Sequence, residues 1–298
     1  MRRKLIRQGG TGLTFYVPKK WIDEKNLKPG DEIAVTVADN KLVVEPATGE
    51  KKLKKTQIEI TEGDYDQYRS LIGGLYRAGY DEITVTYTDK NVIPNLQKTI
   101  DSLYGFEIFD INESSCTIRS VYHEEETDIN AHFRKSVQII KTMYTMIAED
   151  LEKKKNSSEQ ILQGFRVALL KQRDLISRII IQKRLFDDQI FPYYSLSHTV
   201  WNIGRNYFNL YKAIEKNYKL STIDKEYFKK TNAFFNEFFE NFNTVSHTKK
   251  HNAYKKLIQE GIEIMKSRNA TLVISYCMAI LMLLQSCNSH IILLSNKS

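Results

Sequence analysis

From His123 to its C-terminus the chain carries one proline, Pro192, and no run in which apolar and polar residues alternate. Apolar residues recur there at helical spacing, as at Val137, Ile140, Tyr144 and Ile147. A stretch this long with one helix breaker constrains the fold to packed helices, because a strand needs a period of two and its turns need Pro and Gly. The pattern predicts six helices: Glu124–Lys154, Ser158–Phe191, Tyr193–Tyr218, Thr222–Asn243, Thr248–Lys266 and Asn269–Ser295. One break is placed at Pro192 and another at Leu220-Ser221-Thr222, where Asp224 follows Ser221 at the spacing of a capping box. Two sets of three antiparallel helices would bury a long common core.

The preceding segment has mixed periods. Gln57–Ile60 reads as a strand and Asp64–Ala78 as a helix, with Tyr65, Tyr68, Leu71, Ile72 and Leu75 on one face and Gly79 as its cap. Glu82–Tyr87 reads as a strand. Val92–Leu103 reads as a helix broken near its start by Pro94, and Phe106–Asp110 and Cys116–Val121 as strands around an Asn112–Ser115 turn. Residues 56–122 therefore form a small α/β domain of order β-α-β-α-β-β.

Residues 1–48 form a third region. It opens RKLIRQGGTGLTFYVPKKW, with strand-like runs Lys4–Gln8 and Leu13–Val17 around a Gly-Gly-Thr-Gly turn. A short helix starts at Pro18, with Trp21 and Ile22 as apolar anchors, and Pro29-Gly30-Asp31 turns the chain. Ile33, Val35 and Val37, then Leu42 and Val44, alternate with polar residues up to Pro46. So small a β-β-α-β-β unit buries little apolar surface alone, and a core shared between two chains is the usual remedy.

Arg3-Lys4, the glycine turn, Val17-Pro18-Lys19 leading to Trp21, Gly30-Asp31 and the final strand ending in Pro46 resemble the AbrB/MazE/SpoVT swapped-hairpin DNA-binding family. That resemblance implies an intertwined homodimer lying on DNA, with Arg3, Lys4, Arg7, Thr11, Lys19 and Lys20 as the contacting residues. Charge points the same way. Residues 1–55 hold thirteen Lys/Arg against seven acids, an excess of six out of a net +8 for all 298 residues. A concentrated positive charge, doubled in a dimer, favours a polyanion through counterion release. The run Lys51-Lys52-Leu53-Lys54-Lys55 reads as a solvated linker.

The helical region resembles PhoU, the phosphate-uptake regulator family, which carries two three-helix repeats. The best match to its L-E-R-I-G-D-H-x-x-N-I pattern is Val200-Trp201-Asn202-Ile203-Gly204-Arg205-Asn206-Tyr207-Phe208-Asn209-Leu210. Ile203, Gly204 and Asn209 are retained. In the family two acids one helical turn apart are proposed to hold clustered metal ions, but Trp201 and Arg205 stand in their places. An arginine there repels a cation, so no metal is expected. Leu103-Tyr104-Gly105-Phe106-Glu107-Ile108 resembles the segment that joins AbrB-like and PhoU-like parts in archaeal fusion regulators.

The remaining constellations are weak. His247 and His251 lie one turn apart with no third ligand nearby, and Lys249, Lys250, Lys255 and Lys256 crowd them. His123 with Glu124, Glu125, Glu126 and Asp128 reads as an acid-rich helix start. Asp187-Asp188 reads as an electrostatically awkward pair near a helix end. The apolar run Ala270–Leu284 falls short of the roughly 20 residues of a membrane helix and reads as a buried bundle helix, with no membrane insertion. Cys116, Cys277 and Cys287 have no close pairing and fit a reducing cytoplasm. No secretory leader, P-loop, nucleophile elbow or Rossmann glycine pattern is visible, so neither catalysis nor a cofactor is expected.

The expected fold is a multidomain α+β chain with a swapped-hairpin β domain (1–48), a small α/β domain (56–122) and a PhoU-like six-helix bundle (123–298). The expected function is a dimeric, cytoplasmic, DNA-binding transcription regulator linked to phosphate homeostasis. The alternative is an adaptor that acts on a phosphate transporter or kinase through its bundle.

Overall fold

The computed structural model describes residues 3–10, 12–38, 41–47, 53–61, 64–121, 128–153, 157–182, 187–214, 220–240, 247–267 and 271–295. It is a mixed α+β chain, with small sheets toward the N-terminus and a helical C-terminal region. The chain divides into two compact units, Met1–Leu53 and Lys54–Ser298.

In the first unit, β1 (Ile6–Arg7) and β2 (Leu13–Thr14) form an antiparallel hairpin in which Ile6 faces Thr14 and Arg7 faces Leu13. These strands are shorter than the sequence pattern suggested, because the backbone pairing stops where Gln8 N–H meets the Gly12 carbonyl at 3.0 Å. Pro18 caps α1 (Lys19–Glu24), and Asn26, at φ +54°, lets the Leu27 N–H reach back to the Ile22 carbonyl at 3.1 Å. The Lys28–Asp31 turn has Pro29 second and Gly30 third at φ +100°, the arrangement that a type II turn requires. β3 (Ile33–Ala38) and β4 (Lys41–Pro46) then pair antiparallel. Their register sets Ile33, Val35 and Val37 opposite Pro46, Val44 and Leu42, so one face of the ribbon is wholly apolar.

The second unit begins with a four-stranded sheet of order β5-β6-β8-β7, from β5 (Lys55–Ile60), β6 (Glu82–Tyr87), β7 (Phe106–Phe109) and β8 (Ser115–Ser120). β5 and β6 are parallel and the other pairings antiparallel. The crossover helix α2 (Tyr65–Arg77) is capped by the Asp64 carboxylate, which accepts the Gln67 N–H at 3.0 Å. It ends in a Schellman turn, with Gly79 at φ +79° and the Tyr80 N–H bonded to the Leu75 carbonyl. α3 (Ile93–Ile100) is not broken by Pro94, which occupies the first turn, where its missing N–H has no helical partner to lose. Ile72, Tyr76, Ile83, Val85, Leu96, Ile100 and Ile118 fill the core of this part.

The helical region comprises α4 (Ile129–Lys153), α5 (Glu159–Gln182), α6 (Asp187–Ala213), α7 (Thr222–Glu240), α8 (His247–Lys266) and α9 (Leu272–Ser295). Two boundaries differ from the pattern-based reading. α4 starts at Ile129, where Asp128 accepts the Asn130 N–H at 2.8 Å; His123 and Glu124–Glu126 lie outside the described residues. The break placed at Pro192 does not occur there, since Pro192 lies inside α6; residues 183–186 lie outside the described residues. The side chains of Asp187 and Asp188 lie outside the described residues. The capping box is present: Ser221 N–H donates to Asp224 Oδ2 at 3.0 Å and Asp224 N–H to Ser221 Oγ at 3.1 Å.

α6 and α9 lie together at the centre, flanked by α4, α5, α7 and α8. Gly204 must be glycine for the helices to pack this closely, since a Cβ there would collide with Leu169 Cδ1 of α5. α9 carries no charged residue and is long and apolar enough to cross a bilayer by length and composition. Here its Val273, Ile274, Cys277, Ile280, Leu281, Leu284 and Cys287 are buried in the bundle core.

Candidate functional site

Arg3, Lys4, Arg7, Lys19 and Lys20 are all exposed. The first three lie on or beside β1, and the lysines open α1, directly after the proline that sets the helix start. Lys20 approaches Glu24 at 3.9 Å across open surface, a pairing of little worth. Among the described residues the other four have no ion-pair partner, so their charge is available to a polyanion. Thr11 lies outside the described residues. No described residue between 3 and 47 is buried. The apolar face of the β3–β4 ribbon is open, with Val37 73%, Leu42 57% and Val35 53% exposed.

The second unit holds a cationic cluster where α2, α5 and α6 meet. Asp174 of α5 is fully buried. Its carboxylate accepts N–H bonds from Arg69, from Arg77 at 3.1 Å, and from Arg173 through Nε at 2.9 Å and Nη2 at 2.6 Å. Burial alone would push this carboxyl up; the guanidiniums of Arg69, Arg173 and Arg77 outweigh it and hold the group below the ordinary carboxylate range. Three cations face one anion. Arg173 also stacks on the Trp201 indole at 4.6 Å, and Arg205 lies over the same ring at 5.2 Å. Trp201 and Arg205 therefore belong to an arginine-rich site.

His198 stands one turn before Trp201 on α6. Burial, then the charges of Arg173 and Arg77, push its pKa down to about 4. Its folded pKa lies below the unfolded value near 6.5, so between those two values the unfolded chain binds more protons. Stability from this group is present above pH 6.5 and is lost as the pH falls toward 4. His198→Gln is expected to flatten the fall in melting temperature over this interval, which a series of thermal melts would measure.

A second polar junction lies one turn further along α5. Arg178, itself buried, donates to Asp81 Oδ1 at 2.8 Å and to the Tyr76 and Tyr80 carbonyls at 3.1 and 2.6 Å. It thereby caps the C-terminus of α2. Asp81 Oδ2 in turn accepts the backbone N–H of Lys54 at 2.9 Å, and Asp81 N–H returns to the Lys54 carbonyl at 2.7 Å. Tyr104, in the segment resembling a domain junction, accepts from Gln172 Nε2 of α5 at 3.0 Å.

Neither junction was identified from sequence. The available signal was arginines and an aspartate, Arg173, Asp174 and Arg178, inside the apolar stripe Leu169, Leu175, Ile176, Ile179 and Ile180. His251 bonds Gln285 at 3.2 Å, and no group of three or more His, Cys, Asp or Glu positioned to hold a metal occurs among the described residues. In comparisons with known proteins, no family model, curated protein or solved structure matches the chain.

Proposed function

We propose that the protein is a dimeric, cytoplasmic DNA-binding transcription regulator linked to phosphate homeostasis. Its Met1–Leu53 unit would act as an AbrB/MazE/SpoVT-like swapped hairpin and its helices as a PhoU-like sensing module. One observation carries this reading: a unit with no buried described residue presents an open apolar ribbon face together with exposed cations lacking ion-pair partners. A second copy supplies the missing core, and pairing doubles the positive charge offered to phosphates.

Val35→Lys in the full-length chain tests the dimer. Placing two charges in the shared core forfeits the burial of a valine in each copy, about 1.5–3 kcal/mol apiece, so the dimer dissociation constant should rise about a hundredfold or more. Sedimentation equilibrium reads this directly; an unchanged dimer would remove the ribbon from the interface. Arg3→Ala with Arg7→Ala tests the DNA surface. Binding should weaken, and the slope of log affinity against log salt should fall by about one unit per lost phosphate contact. Unchanged affinity in an intact dimer would overturn the assignment.

Regulation would travel through the second unit. Lys54, where that unit begins, is held by Asp81, and Asp81 by Arg178 of α5. A signal that shifts α5 therefore biases the residue from which the DNA-binding unit departs, a population shift between two arrangements. The alternative, an adaptor docking on a phosphate transporter or kinase, draws support from the uncharged outer stripe of α9, where Leu272, Ser275, Met282, Ser286, Ser289 and Leu293 are exposed. An absence of salt-dependent DNA binding would favour it.

A further inference from the structure

We propose that the arginine cluster where α2, α5 and α6 meet is a binding site for a multiply charged tetrahedral oxyanion of the phosphate class. This inference stands independently of whether the first unit binds DNA.

Charge balance is the first argument. Arg69, Arg77 and Arg173 converge on the single carboxylate of Asp174, and that carboxylate is the only acid ion-paired with them among the described residues. Arg205 adds a fourth guanidinium beside Trp201, with no acid ion-paired to it among the described residues. Holding like charges together at low exposure is unfavourable unless an anion completes the balance. One aspartate leaves two of the three buried or half-buried guanidiniums uncompensated.

Unsatisfied polar atoms are the second. Arg69 Nε, Trp201 Nε1 and His198 Nε2 are buried and have no hydrogen-bond partner among the described residues. Arg69 is itself more than nine-tenths buried. Leaving such a group unpaired costs about 1–3 kcal/mol, so three within one cluster point to a missing acceptor. Arginine forks and an indole N–H match the oxygens of a tetrahedral anion. His198, neutral at physiological pH, offers either a donor to an oxyanion oxygen or an acceptor for a P–OH group.

Shape is the third. Gly73 lies between Arg69 and Arg77 on α2, and a Cβ there would collide with Arg69 Nη1 and come within 3.4 Å of Arg77 Nη1. The bare backbone lets both guanidiniums fold over the helix toward Asp174. On α6, His198, Trp201 and Arg205 follow one another at three and four residues, a single helical stripe. Arg205 is exposed and Arg77 partly so.

Trp201 makes the test local. The chain has two tryptophans, Trp21 and Trp201, so full-length Trp21→Phe leaves Trp201 as the sole reporter. Its fluorescence is titrated with inorganic phosphate, sulfate and ADP against chloride at matched ionic strength. A saturable change with phosphate beyond that of chloride is expected, weakened about tenfold by Arg205→Gln and by Arg77→Gln, as befits loss of one charge-assisted bond. Arg205 is exposed, so its variant keeps the fold. Tighter binding of phosphate than sulfate would assign the P–OH to His198, and tighter binding of ADP would identify a nucleotide as the source. A response no larger than that of chloride, or identical titrations in both arginine variants, would overturn the proposal and leave the cluster as an internal ion-pair staple. DNA binding measured on the same samples keeps the two readings separable.

Discussion

Replacing Arg178 with alanine is expected to lower the free energy of unfolding by about 3–5 kcal/mol, the usual cost of removing one partner from a buried ion pair. The side chain is 1% exposed. Its loss would strip Asp81 of its charge partner and take the guanidinium donor from the Tyr80 carbonyl and from the Tyr76 carbonyl, which keeps the Gly79 N–H. The guanidinium also sits 5.0 Å from the Tyr76 ring and 5.2 Å from the Phe106 ring, so a cavity forms between the α/β part and α5. Arg178→Lys should recover only part of the loss. An ammonium carries the charge but cannot reach two carbonyls and a carboxylate in the geometry of a planar fork. Urea denaturation measures the size of the effect. Limited proteolysis locates it, since loosening this junction should expose the chain near Lys54 first. A loss below about 1 kcal/mol would mean that the junction is held by apolar contact, and coupling through Asp81 would have to be abandoned.

Secondary structure in the α/β part was legible because its signals are local. The Asp64 cap, the Gly79 turn and the alternation of β6 each act within a few residues, and β6 occupies Glu82–Tyr87 as the pattern reads. Pro192 misled because proline weakens a helix interior without always breaking it, and α6 runs through it. The apolar run in α9 was legible as buried, since Gln285 and Ser286 interrupt it, although the helix itself continues to Ser295. What could not be read was the company each charged side chain keeps. Arg69 and Arg77 are separated from Asp174 by about a hundred residues, and a charge in a helix looks the same in sequence whether it faces water or a partner helix. The sequence pattern singled out Trp201 and Arg205 on α6 but not the arginines that gather beside them. Those come from α2 and α5.

Asp174→Asn should be among the most damaging single-atom changes in the chain, with an expected cost of about 3–5 kcal/mol, because it leaves three guanidiniums crowded around a neutral amide. Asp174 is 0% exposed. pH dependence gives the second signature. The folded carboxyl lies below its ordinary value, so its contribution is present above the unfolded pKa of about 3.9 and is lost as the pH falls through the folded value. Melting curves of the wild type and of Asp174→Asn should therefore differ most near neutrality and converge in strong acid. A constant offset at all pH values would mean that lost packing, not lost charge, is responsible. An oxyanion in the cluster carries the same sign of charge as the missing carboxylate and answers the same guanidiniums. Phosphate should accordingly raise the melting temperature of Asp174→Asn by more than that of the wild type. Equal increments in the two proteins would place the anion elsewhere than on Arg69, Arg77 and Arg173.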